Sequence, residues 1–119
     1  GRKTGTMWIF TLLKSKRKYQ VISHEQAMDM MKKDKNYKLI DVRTPVEYQQ
    51  GHIKSAVNIP NETIGKKEPS QLKKKDQNII VYCFSGYRSR QTCRKLAKMG
   101  YTNIYSMEGI NSWQGKMVR

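Results

Sequence analysis

A chain of 119 residues with 24 lysines and arginines against 9 aspartates and glutamates carries a net charge of +15 and is one domain, large enough for a real core. Its aliphatic and aromatic content is that of a globular protein, which rules out disorder throughout. The charge admits nucleic acid, an anionic membrane surface or small anions as partners, beside the plain reading of a lysine-rich solvated surface; no nucleic-acid motif and no aromatic-interleaved basic stripe accompanies it, so nucleic acid is the weakest of these.

Residues 1–18 read as a leader separate from the domain at residues 19–119. Gly1 to Thr6 has the look of an expression scar or an ill-ordered tail. Met7 to Leu13 is an apolar run followed by the basic segment Lys14-Ser15-Lys16-Arg17-Lys18. The run is too short to span a bilayer, which takes about 20 residues. Its order, apolar then basic, is that of the cytoplasmic end of a membrane helix. Three readings stand: the remnant of a longer anchor, a peripheral contact with a membrane surface or the domain, and a disordered leader.

Tyr19 to Ile22 suits a first, edge strand. Ser23 with Gln26 three residues on makes a capping box, and Ala27, Met30 and Met31 then share one helical face. His24, in the first turn of that helix, has no visible partner and reads as surface. Tyr37 to Val42 is a second strand. Thr44-Pro45-Val46-Glu47 is another capping box with proline at the first helical position, and the short helix it opens ends near Gly51. Val57 to Pro60 is a brief strand. Asn61 to Asp76, with its glycine, its proline and its lysine clusters, reads as an exposed connection holding a short helix at most.

Ile79-Ile80-Val81-Tyr82 has the pattern of a buried strand, and Ser89 to Met99 that of a helix. Between them lies Cys83-Phe84-Ser85-Gly86-Tyr87-Arg88. A tight loop pinned between a strand end and a helix start turns successive backbone N–H groups inward, a setting that favours an anion on the Cys83 sulfur. This is the candidate nucleophile. Gly86 answers a backbone need, positive φ or close approach. Cys93 stands ten residues on with no C-x-x-C or metal-ligand spacing, and reads as a small core residue of the helix. Asn103 to Tyr105 is a last strand and Ile110 to Gln114 a last helical turn. Strands alternate with helices, so an α/β domain with a mostly parallel sheet is expected.

Three segments, in order, resemble the rhodanese family of sulfurtransferases over Gln20 to Lys116. They are Asp41-Val42-Arg43-Thr44-Pro45-x-Glu47-Tyr48-x-x-Gly51-His52-Ile53-x-x-Ala56-x-Asn58-Ile59-Pro60, then Cys83-x-x-Gly86-x-Arg88-Ser89, then Gly100-Tyr101-x-Asn103-Ile104-Tyr105 with Gly109 to Trp113. One departure is Glu108-Gly109, where the family shows two adjacent glycines. The resemblance implies a three-layer fold, a central mostly parallel sheet with helices on both faces. It implies a sulfur carried as a persulfide on Cys83, taken from a small anionic donor such as thiosulfate or from a thiol persulfide. The sulfur then passes to a nucleophile, cyanide in vitro or a thiol or protein in the cell, with no metal or organic cofactor. An alternative is a delivery or interaction module with little turnover of small molecules.

Loop size separates this chemistry from that of cysteine phosphatases, in which five residues stand between cysteine and arginine. Four do so here, a narrower cradle that suits one sulfur better than a phosphate. Within it, the N–H groups of Phe84 to Ser89 are expected to hold the charge, with Phe84 and Tyr87 at the mouth. Arg88 either binds the donor or ties the loop to a carboxylate. Ser89 either caps the helix or donates to the sulfur, capping being the plainer role. Near the site, Asp41 is expected to fix neighbouring backbone and Arg43 to pair with Glu47 or another carboxylate. His52 is expected to serve packing rather than act as a base. A thiol that must stay available fits a reduced, cytoplasmic or cytoplasm-facing setting.

Overall fold

The computed structural model describes residues 18–119, so the leader, but for Lys18, lies outside the described residues. In chain order the elements are β1 (Gln20–Ile22), α1 (His24–Lys33), β2 (Lys38–Asp41), α2 (Pro45–Gln50), β3 (His52–Ile53), β4 (Val57–Asn58), β5 (Asn78–Tyr82), α3 (Tyr87–Lys98), β6 (Asn103–Met107) and β7 (Met117–Val118). Single 3-10 turns lie at Asn61–Thr63 and Ile110–Ser112. No helix of the described residues is long and apolar enough to cross a membrane.

Both capping boxes form. The Ser23 hydroxyl accepts the Gln26 N–H while the Gln26 side chain accepts the Ser23 N–H, and Thr44 and Glu47 do the same at the start of α2. These caps satisfy amide groups that a helix cannot pair internally, and so fix where each helix begins.

Five strands make one parallel sheet in the order β1-β6-β5-β2-β4. Side chains alternate across β5. Ile79 and Val81 face a core under α3, with Ile40, Cys93, Leu96 and Ile104. Ile80 and Tyr82 face a second core with Leu39, Ala27 and Met107, against which Met30, Met31 and Tyr48 of α1 and α2 lie. A sheet covered on both faces demands strands that are apolar on both, which is why β5 reads as an unbroken apolar run. The α/β three-layer expectation is met.

Two differences from the sequence reading concern long-range structure. The connection after β4 is not simply exposed: Ile64 and Leu72 are buried in the α3-side core, and the Tyr101 hydroxyl donates to the Leu72 carbonyl. The sequence shows an isoleucine and a leucine scattered among lysines, without a period that would give them away. In addition, β3 and β7 pair antiparallel, His52 opposite Val118 and Ile53 opposite Met117. Two-residue strands carry no pattern of their own.

The chain leaves β2 toward β4 and leaves β5 toward β6, on opposite sides. At such a switch point the loops diverge and leave a crevice beyond the carboxyl ends of neighbouring strands. The Cys83 loop stands at that crevice.

Candidate active site

Cys83 directly follows β5, and its side chain is 1% exposed. The Gly86 N–H points at Sγ from 3.0 Å and the Ser89 N–H from 3.4 Å. The chain turns tightly to achieve this. Gly86 takes φ +102° at the N-cap of α3, a left-handed conformation costly to any residue with a Cβ. Two donors therefore converge on one sulfur at the start of a helix whose dipole adds to their effect. Phe84 and Tyr87 rise around the loop, 51% and 63% exposed, and Ser85 is exposed beside them.

Arg88 does not stand free. Its Nη1 donates to Glu47 Oε1 at 2.7 Å and its Nη2 to Oε2 at 3.2 Å. The same Oε1 accepts the Thr44 N–H and hydroxyl, so one carboxylate both caps α2 and ties α2 to the loop. The Arg88 bonds hold the Glu47 carboxyl down at about 2 against burial, and the Thr44 bonds act in the same direction. Of the two readings of Arg88, the geometry displays the tie to a carboxylate.

That arrangement selects between the two alternatives for Arg43. Glu47 belongs to Arg88, and Arg43 pairs with Asp41, through Nη2 to Oδ2 at 2.7 Å and Nε to Oδ1 at 3.0 Å. Asp41 Oδ1 also accepts the Arg43 N–H, the backbone role expected of it. Arg43 Nη2 donates onward to the Gly51 carbonyl at 2.6 Å, which fixes the far end of α2. The buried pair thus braces the helix that carries Glu47. His52 lies flat on the Tyr48 ring, centroids 3.7 Å apart, and its Nδ1 donates to the Tyr48 carbonyl. It makes no hydrogen bond with the Cys83 loop.

The Ser89 hydroxyl does not donate to the sulfur, and the N-cap is Gly86 rather than Ser89. That hydroxyl donates to the Gly86 carbonyl at 2.9 Å and meets the Ser106 hydroxyl, also at 2.9 Å. A carbonyl can only accept, so the Ser89 proton is spent on Gly86 and Ser106 must be the donor of the second bond. Both hydroxyls are buried, and Ser106, on β6, thereby supports from below the two residues whose N–H groups reach Sγ. Sequence reading missed Ser106, since a serine inside a strand announces nothing. Cys93 also faces Ser106, and burial above all pushes its thiol up to about 12.

The other wall is the turn after β6. The Ile110 N–H donates to the Cys83 carbonyl at 3.0 Å and the Asn111 N–H to the Phe84 carbonyl at 3.1 Å. A Cβ on Gly109 would overlap the Phe84 carbonyl oxygen and Ser85 Cα. With φ −60° at Gly109, what matters there is space rather than conformational freedom. Glu108, which replaces the family's other glycine, has no positive φ and an exposed side chain, so the turn forms without a glycine at that position. His24 corrects the reading of a surface residue without partners. Its Nε2 stands 2.9 Å from both the Glu108 and Gly109 carbonyls, and its ring meets Trp113 edge-on. The partners lie more than 80 residues away, where no local pattern points to them.

Comparison with known proteins places these features in a family. The rhodanese-like domain profile matches residues 23–116. The chain is 37% identical over 71 residues to the thiosulfate sulfurtransferase PspE of Escherichia coli K12, covering 60% of this chain and 68% of that one. It is 32% identical over 91 residues to a tRNA uridine(34) hydroxylase of Hamiltonella defensa, covering 73% of this chain but 25% of that one. Among solved structures, a rhodanese with anions from E. coli superposes with a TM-score of 0.64 at 32% identity, covering 70% of this chain and 98% of that chain.

Proposed function

The chain belongs to the rhodanese-like domain family, and from that premise we propose that it is a sulfurtransferase whose Cys83 carries the transferred sulfur. The observation that supports this reading most is the pair of N–H groups, from Gly86 and Ser89, aimed at one cysteine sulfur inside a loop with four residues between Cys83 and Arg88. Likeness to a protein named thiosulfate sulfurtransferase adds weight, with thiosulfate as the donor class.

The Cys83 thiolate attacks the outer sulfur of the donor. With thiosulfate, the sulfur–sulfur bond breaks and sulfite leaves with its electron pair. A persulfide now stands on Cys83, and its outer sulfur carries the charge that the inward N–H groups hold. A second nucleophile attacks that outer sulfur, cyanide leaving as thiocyanate, and Cys83 is released as the thiolate. This is double displacement through a covalent intermediate, and no proton transfer to a base such as His52 enters it. The pair Glu47–Arg88 positions the loop against α2. Asp41 and Arg43 support that helix.

Intact mass after incubation with thiosulfate, and again after cyanide, tests the reading, with Cys83→Ser as the control. The expected result is a gain of one sulfur in the parent alone, removed by cyanide as thiocyanate. Loading from a thiol persulfide but not from thiosulfate would keep Cys83 as the carrier and change the donor. Loading from neither would overturn the reading. The exposed Phe84 and Tyr87 favour a second reading, delivery of the sulfur to a protein acceptor. Faster turnover with an acceptor protein than with cyanide would support it.

We also propose that the leader at residues 7–18 brings the domain at 19–119 to an anionic membrane surface on the cytoplasmic side. Co-sedimentation with anionic vesicles tests this, and absence of binding would sink it.

A further inference from the structure

The loop needs a cation toward solvent if it is to collect an anionic donor, and Arg88 cannot supply a net charge. Glu47 holds it through two bonds and is itself held by Thr44, so the pair is neutral at any ordinary pH and fixed at its carboxylate end. Of the other basic residues of α3, Arg94 donates to the Tyr19 hydroxyl, Lys95 donates to Asn61, and Lys98 stands in the last turn, at the far end of the helix from the loop.

Arg90 differs. It lies one helical turn beyond Gly86, and side chains on a helix lean back toward its N-terminus. The guanidinium accordingly covers Gly86: a methyl built on that glycine would stand 3.0 Å from Arg90 Nη1 and 3.8 Å from its Cζ. Gly86 is the residue whose N–H approaches Sγ most closely. Among the described residues, no hydrogen bond or ion pair engages the Arg90 side chain, and it is partly exposed. Its charge is not cancelled, and a single glycine separates it from the nest.

Resting on the sulfurtransferase reading above, we propose that Arg90 is the specificity-determining cation of the site. It draws anionic sulfur donors, of the thiosulfate and sulfonate-like class, to the Cys83 loop and holds their anionic end at the rim while the outer sulfur meets Sγ. Arg88 serves as a positioning residue. The division follows from charge: a neutralised arginine braces, an unpaired one attracts.

The test uses two alkylating probes of nearly the same size, iodoacetate and iodoacetamide, which differ in charge. The ratio of their rates at Cys83 reports the cation at the sulfur without requiring sulfur transfer. Arg90→Gln is expected to lower the iodoacetate to iodoacetamide ratio about fivefold, the size expected of one cation in a partly solvated site, with Arg90→Lys restoring most of it. The same substitution should raise KM for thiosulfate more than it lowers kcat, and the difference should shrink as salt rises. An unchanged probe ratio in Arg90→Gln, in protein whose Cys83 still reacts, would overturn the assignment of Arg90. A lowered ratio in protein that loads no sulfur from any donor would support Arg90 as an anion-binding residue and overturn the sulfurtransferase reading instead.

Discussion

Cys83 and Cys93 lie ten residues apart in one strand–loop–helix unit, and both are almost fully buried. Cys93 sits among the aliphatic side chains under α3 with the Ser106 hydroxyl beside it, and burial there outweighs that one polar neighbour in disfavouring a charge. Cys83 meets the same core on one side and, on the other, two backbone N–H groups turned toward it by a left-handed glycine. Burial is common to both, so it is not what marks a nucleophile. What separates them is whether the backbone near the sulfur has already spent its donors. Beyond the first turn of α3 the N–H groups serve the helix; at its N-cap and in its first turn they are free to serve the sulfur.

That contrast can be broken most directly by thiol labelling. Native protein in iodoacetamide at pH 8 is expected to label Cys83 and spare Cys93, whose burial pushes its thiol up to about 12. Peptide mass mapping reads the outcome. Comparable labelling of both cysteines would remove the distinction.

A second way is to push the loop away from its donors. Gly109→Ala forces a Cβ into the Phe84 carbonyl and Ser85 Cα. It should destabilise the protein by about 1–3 kcal/mol in urea unfolding and slow labelling of Cys83, making it behave more like Cys93. Normal stability with normal labelling would show that the turn after β6 does not set the loop.

A milder change removes support from below. Ser106→Ala deletes the donor to Ser89 within a buried pair, with an expected loss of about 1 kcal/mol and a few-fold slower sulfur loading. Loading at the parental rate would leave Ser106 a core filler only.

The smallest effect concerns acid. The Glu47 carboxyl is lowered in the folded protein from an ordinary 4.5 to about 2, so the folded state holds its proton less tightly than the unfolded chain. Its contribution is therefore complete above about 4.5 and drains away as pH falls toward about 2. Because the pair is partly exposed, its share is small, below about 1 kcal/mol. Urea unfolding from pH 5 to pH 2.5 should be shallower in Glu47→Gln than in the parent. Parallel curves would mean that Glu47 binds its proton equally in the folded and unfolded chain, and that the pair adds nothing to stability.

What could be read from the chain in advance follows from distance along it. Ser23 with Gln26 and Thr44 with Glu47 are three residues apart, and both caps were legible as helix starts. The apolar run Ile79 to Tyr82 and the glycine three residues after Cys83 are equally local. Glu47 shows the limit: its capping role is written in four residues, while its bond to Arg88 spans 41, and the sequence leaves open whether Arg43 takes Glu47 or another carboxylate. The carboxylate of Asp41, two residues from Arg43, takes that place because the strand end turns it back on its own neighbour. His24, Ser106 and Gly109 owe their importance to the meeting of β6 with the Cys83 loop, and only the folded chain supplies that meeting.

The double duty of Glu47 also bears on motion. One carboxylate oxygen caps α2 and accepts from Arg88, so the first turn of α2 cannot unwind while Arg88 stays in place, nor can Arg88 swing out without loosening the cap. Helix and loop are therefore expected to open as one cooperative unit. In native-state hydrogen exchange, the amides of Glu47 and Tyr48 should share an opening free energy with those of the Cys83 loop. The rate at which large acceptors gain room at the sulfur would then be governed by the fraying of a six-residue helix on the neighbouring strand.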